Sequence, residues 1–269
     1  MNRVDAAFRR LRREGRKAFM PFIAAGDPNL DVTAAVLRTL QDRGAADLVE
    51  LGVPFSDPIA DGPTIQASYQ RALAAGVTPQ AVLDTVGRLR AGGLNLPICL
   101  MVSYSLVYRP GVPAFVERAA AVGIDGLIVP DLPVDESGPL AEILSSADMA
   151  HILLVAPTTP PARRKTILSH VTGFVYCVSV TGITGERDAF PPGFEEYVRG
   201  VKKAAKVPVC VGFGISRPEH VAAVAQLADG AIVGSAISHR VADNAGGAPA
   251  KIAREVADLC QELSAPLRS

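Results

Sequence analysis

Eight short apolar runs, each followed by a polar or glycine-bearing loop and then a helical pattern, restrict this chain more than any other feature. The runs are Phe19–Ala24, Leu48–Leu51, Ile98–Met101, Gly126–Val129, Ile152–Val155, Phe174–Val178, Val209–Val211 and Gly230–Val233. Helical patterns fall between them, at Asp31–Arg43, Pro79–Arg90, Val112–Ala121, Ser137–Ser145, Pro160–Ser169, Glu195–Ala205 and Pro218–Ala225. Near-continuous apolar runs suit parallel strands covered on both faces, and strict alternation suits right-handed βαβ units. An open doubly wound sheet is the competing architecture. Its GxGxxG turn after the first strand is missing, because that strand runs into AAGDP at Ala24–Pro28. The count of eight favours closure. The expected fold is α/β, a (β/α)8 TIM barrel forming one domain over residues 1–269 with an additional N-terminal helix, whose Val4, Phe8 and Leu11 share one face. The tail Ser264–Ser269 is expected to fray.

Hydrophobic residues make up 49% of the 269, enough for a large core, and 27 basic residues balance 27 acidic ones. No nucleic-acid footprint and no polybasic membrane patch is expected from that balance. The segment Met1–Lys17 is rich in Arg and has no apolar stretch of the secretory kind. No apolar run reaches the roughly 18 residues of a membrane span. Cys99, Cys177, Cys210 and Cys260 form no CxxC pair, and three of them lie in strand-like runs. They read as reduced core residues of a cytoplasmic protein.

Two connections are long and rich in Pro and Gly: Gly52–Pro63 after strand 2 and Thr181–Gly193 after strand 6. Both follow C-terminal strand ends, where barrels build their active sites. Glu50 stands one residue before the end of strand 2. A carboxylate there is a salt-bridged structural group against the helices, or a desolvated proton carrier in the barrel mouth. Asp61 lies in the following loop; Asp before Gly also makes plain turns, but this one hangs over the same barrel end. Two carboxylates in different environments are suited to separate acid and base roles. Glycines at Gly212 and Gly214 after strand 7, and at Gly234 after strand 8, would let backbone amides approach a phosphate. No lysine ends a strand, which removes the nucleophile of a Schiff-base aldolase. The four histidines, His151, His170, His220 and His239, show no metal-ligand spacing, and His151 is read as preceding strand 5. Proton transfer is the chemistry left.

These residues resemble the α subunit of tryptophan synthase over nearly the whole chain. The resemblance is carried by PFIAAGDP at Pro21–Pro28, LVELGVPFSDPIADGPTIQ at Leu48–Gln66 and VPDLP at Val129–Pro133. It continues in GITG at Gly182–Gly185, GFGIS at Gly212–Ser216 and GSAI at Gly234–Ile237. It implies retro-aldol cleavage of indole-3-glycerol phosphate to indole and glyceraldehyde 3-phosphate, with Glu50 and Asp61 as catalytic residues. Glu50 would move protons at the indole C3 and the glycerol hydroxyl, and Asp61 would hold the indole N–H. The resemblance further implies that Gly185, Gly214, Gly234 and Ser235 hold the phosphate. Phe22, Ile65, Tyr176 and Ile232 would shape the indole pocket, and Thr184 would set the strand-6 loop over Asp61. Pro54 and Asp57 would face a β subunit in an α2β2 heterotetramer. That partner would receive indole through a tunnel and carry the pyridoxal phosphate, leaving no cofactor and no metal in this chain.

The chain departs from the family at Ser103 and Ser105, where larger residues are usual, at Ala24, and in Glu186–Pro192. Three other readings stay open: a stand-alone lyase that releases free indole, a non-catalytic partner-binding subunit, and a phosphosugar isomerase on the same barrel.

Overall fold

The computed structural model describes residues 2–58, 61–179, 190–212 and 214–268. All eight expected strands form: β1 Ala18–Ala24, β2 Val49–Gly52, β3 Ile98–Met101, β4 Gly126–Ile128, β5 Ala150–Val155, β6 Val175–Val178, β7 Val209–Gly212 and β8 Gly230–Val233. They pair in parallel in chain order, and β8 pairs with β1 to close the barrel. The helices are α1 Arg3–Arg13, α2 Leu30–Asp42, α3 Pro63–Ala74, α4 Pro79–Ala91, α5 Tyr104–Tyr108 and α6 Val112–Ala121. After β4 come α7 Gly138–Ser146, α8 Pro161–His170, α9 Phe194–Ala204, α10 Pro218–Ala225, α11 Ser235–Asp243 and α12 Pro249–Ser264. The Asn2, Asn29 and Thr78 side chains accept amide hydrogen bonds at the starts of α1, α2 and α4, satisfying donors that a helix start otherwise leaves open.

Strand residues alternate between two separate cores. Met20, Phe22, Leu48, Cys99, Ile128, Ile152, Tyr176, Cys210 and Ile232 cluster inside the bore. Their chain neighbours, such as Val49, Leu51, Leu100, Leu127, Val211 and Val233, pack outward against the helices. Apart from Glu50 on β2 and His151 on β5, both faces of the strands are therefore lined by apolar side chains or glycine, as a parallel barrel requires.

The N-terminal end of the barrel is built for stability. Asp47 accepts from the Phe19 amide, Asp125 from the Ile98 amide, and Asp229 from the Val209 amide, at 2.8–3.0 Å. Each carboxylate precedes one strand and ties down the first amides of the strand before it. Basic side chains close the charge: Arg3 and Arg90 on Asp125, Arg16 and Arg10 on Asp47, and Lys202 on Asp229. Across this end lies α1, with Val4, Ala7, Phe8 and Leu11 buried and the Phe8 ring 5.8 Å from Phe174. Val4, Phe8 and Leu11 each contribute about 1.5–3 kcal/mol when fully buried.

The expectation of a frayed tail is wrong. Ser264 ends α12, Ala265–Leu267 form a 3₁₀ turn, and Leu267 is buried. The Leu267 carbonyl accepts from the Lys17 amide at 3.2 Å. The four-residue spacing of Leu259, Leu263 and Leu267 carries the apolar face of α12 on to the end of the fold. His151 is likewise inside β5, not ahead of it; it shares the outward parity of Leu153 and Val155. All four cysteines are buried and free. No helix among the described residues is long and apolar enough to cross a membrane.

Candidate active site

The register of β2 sets Glu50 against Phe22 on β1 and Cys99 on β3, both inward-facing. Glu50 therefore projects into the bore and is only 1% exposed. Neither of its carboxylate oxygens has a hydrogen-bond partner among the described residues. Burial pushes its pKa from 4.5 up to about 8; the Asp61 charge adds to the rise, and the Tyr176 hydroxyl opposes it weakly. A carboxyl left in this setting is protonated at neutral pH. The salt-bridged structural reading of Glu50 has no ion pair to support it among the described residues.

Asp61 is held by its own turn. Its amide donates to the Pro58 carbonyl at 3.0 Å, and its carbonyl accepts from the Gln66 side chain at 2.8 Å. Burial raises its pKa to about 6, so it is mostly charged at neutral pH. Glu50 is thus neutral and Asp61 anionic, near enough for the charge of Asp61 to act on Glu50. The Asp61 side chain lines a pocket at the C-terminal barrel end together with Tyr69, Met101, Asp131 and Leu154. Asp131 is occupied as the cap of α5, accepting from the Tyr104 amide and the Ser103 hydroxyl at 2.7–3.1 Å.

Phe22, Ile65, Tyr176 and Ile232 all belong to the inner cluster of the bore. Two glycines make room for them. A Cβ on Gly212 would fall onto the Tyr176 ring, and one on Gly52 would lie 2.5 Å from both the Phe22 ring tip and the Tyr69 hydroxyl. Gly214, with φ +74°, follows β7, a backbone region that glycine enters without strain. Gly234 and Ser235 open α11, and the first amides of a helix have no intrahelical acceptor. They present donors and a positive dipole end to an anion. Thr184 and Gly185 lie outside the described residues. Pro54 is buried, whereas Asp57 is exposed.

Tyr69, Gln66, Gly52 and Asp131 were not singled out from the sequence. The signal for Tyr69 was present: it lies four residues after Ile65, on the same face of α3. No group of three or more metal-binding side chains occurs among the described residues.

The family model for the tryptophan synthase alpha chain matches residues 8–267. A tryptophan synthase alpha chain from Synechococcus sp. (strain CC9902) is 49% identical, over 97% of this chain and 95% of its own. One from Rhodopirellula baltica is 47% identical over 98% of both. Among solved structures, tryptophan synthase subunit alpha from Legionella pneumophila str. Paris superimposes with a TM-score of 0.90 at 33% identity, covering 99% of this chain and 98% of that one. A chain of Mycobacterium tuberculosis tryptophan synthase gives 0.89 at 33%, covering 100% and 99%. With the barrel, the buried carboxyl, the family match and 47–49% identity over nearly the full length in agreement, this chain belongs to the tryptophan synthase alpha chain family.

Proposed function

We propose that the chain is a carbon–carbon lyase that cleaves indole-3-glycerol phosphate to indole and glyceraldehyde 3-phosphate, as the alpha subunit of a tryptophan synthase. The observation that carries this reading is Glu50: a buried carboxyl with no ion-pair partner, close enough to Asp61 to feel its charge, at the active end of a barrel. Its high pKa makes it an acid first and a base second. Neutral Glu50 gives its proton to the indole C3, which breaks the ring's aromaticity and leaves positive charge at N1. Asp61, anionic near neutrality, accepts the N1–H hydrogen bond and stabilises that charge. The Glu50 carboxylate then takes the proton of the glycerol hydroxyl next to the ring. The O–H electrons become the aldehyde C=O, the C–C bond breaks, and its electrons restore the indole. The proton is back on Glu50, and the cycle balances without a Schiff base or a metal.

The phosphate is held by amides of Gly214 after β7 and of Gly234 and Ser235 at the α11 N-terminus, together with Gly185, and the role of Thr184 in this reading is to set the strand-6 loop over Asp61. Phe22, Ile65, Tyr176 and Ile232 supply the flat apolar walls that an indole ring needs. The loop bearing Pro54 and Asp57 faces the β subunit, which carries the pyridoxal phosphate and takes up the indole. The test is to incubate the purified chain with indole-3-glycerol phosphate, with and without a tryptophan synthase β subunit, and follow both products. Indole and glyceraldehyde 3-phosphate are expected in equal amounts, slowly alone and faster with the β subunit. Parent-like cleavage by Glu50→Gln would overturn the assignment of Glu50.

A further inference from the structure

Helix α3 roofs the barrel mouth, and the face it turns inward carries two residues four apart, Ile65 and Tyr69, both in the inner cluster with Phe22. Tyr69 is 3% exposed, and its ring sits tilted over Phe22 at 6.4 Å between centroids. Its hydroxyl reaches past the ring, over Gly52, where a Cβ would lie 2.5 Å from it. Gly52 follows Glu50 by two residues, on the same inward face of β2, so the hydroxyl stands one step above the Glu50 carboxyl. Tyr69 also lines the pocket that Asp61 lines. No hydrogen bond from this hydroxyl occurs among the described residues. A buried phenol normally finds a partner, and α3 here delivers one into the pocket with the donor free. Burial, and after it the charges of Asp61 and Glu50, pushes its ionisation well above the ordinary range. The group is therefore a permanent neutral donor.

We propose that Tyr69 is a positioning residue of this site, whose hydroxyl donates to the Asp61 carboxylate when a ligand fills the pocket and so keeps that carboxylate charged and aimed at the ligand's ring N–H. The inference rests on the proposed role of Asp61. A donor to the charged form favours ionisation, and a phenol on a rigid helix fixes direction better than water does. Gly52 is part of the same device, because any side chain there would displace the hydroxyl. The Asp61 turn and Tyr69 are also linked covalently through the start of α3, where the Gln66 side chain grips the Asp61 carbonyl. One helix therefore sets both the acceptor and its donor.

The test uses the chain assembled with a β subunit and compares the parent with Tyr69→Phe, which keeps the ring contact with Phe22. The pH profile of kcat/KM is measured for indole-3-glycerol phosphate cleavage, together with competition by indole and by 1-methylindole. Loss of the donor is expected to lower kcat/KM about tenfold and move the acid limb up by about half a pH unit or more. It is also expected to weaken indole while leaving 1-methylindole, which has no N–H, nearly unchanged. Kinetic constants within about twofold of the parent with an unmoved acid limb would overturn the proposal. So would an equal loss for both competitors, which is the mark of a purely structural ring. A Tyr69→Leu variant, lacking ring and hydroxyl, guards against a packing effect: if it alone loses activity while Tyr69→Phe does not, the hydroxyl has no role. If the parent itself shows no acid limb, or Asp61→Asn keeps parent activity, the Asp61 reading has failed and the inference falls with it.

Discussion

Replacing Glu50 by Gln should abolish cleavage and at the same time make the protein more stable, by an amount that grows with pH. The Glu50 carboxyl ionises near 8 in the folded chain, against an ordinary value of 4.5. Its folded pKa is raised, so between those values the folded state binds more protons than the unfolded state, and stability falls as pH rises. At about 1.4 kcal/mol per pH unit, the penalty is near zero at pH 4.5, roughly 3 kcal/mol at pH 7 and roughly 5 kcal/mol above pH 8. Gln imitates the protonated acid in shape and carries no titrating proton, so it escapes the penalty throughout. Urea unfolding of parent and variant at pH 5.0, 7.0 and 8.5 reads the difference directly. The variant's advantage should widen across that series, while its indole production stays at background. A constant difference, or a parent more stable than the variant at pH 8.5, would refute the claim that Glu50 is desolvated and without a charged partner. Activity and stability then oppose each other at a single atom group.

The same two carboxyls set the pH profile. The reaction needs Asp61 charged and Glu50 protonated, so kcat/KM should fall below about 6 and above about 8, giving a bell that stopped-assay rates across pH 5–9 would trace. Gly212→Ala places a methyl group against the Tyr176 ring; it should cost about 1–3 kcal/mol in stability and raise KM, read by melting and steady-state kinetics. At the opposite end of the barrel, Asp125→Ala strands the Ile98 amide and the nearly buried Arg90. That should cost about 3–5 kcal/mol, visible as a lower Tm, with kcat of the folded protein unchanged.

The architecture was legible because each strand is a run of apolar residues set off by loops, and eight such runs admit few closures. Glu50 stood out for the opposite reason, as a charge inside one of those runs. What the sequence hides is parity. With both strand faces apolar, hydropathy does not distinguish the bore residues Met20, Phe22 and Tyr176 from the shell residues Phe19, Ile23 and Val175. Only the register of each strand with its neighbours, contacts between distant segments, assigns them. Helix α3 was missed because it begins in a Gly-Pro loop and its amphipathic face is narrow, and Tyr69 was missed with it. The buried Leu267 was missed because a short polar tail conceals one apolar anchor. Gly212 was read as an opening for backbone amides toward a phosphate, and Gly52 was not singled out. At both positions the structure uses the absent side chain as space for an aromatic tip.

The three aspartates that lash the strand starts together have a consequence for how such a protein changes over time. Registry is secured at the floor by Asp47, Asp125 and Asp229, so the rim above carries little of the burden of holding the staves in place. Loops at the rim can be exchanged, lengthened or retuned toward other phosphorylated aromatics while the cask beneath stays tight. The separation of cooperage from cargo is what makes this scaffold receptive to new chemistry.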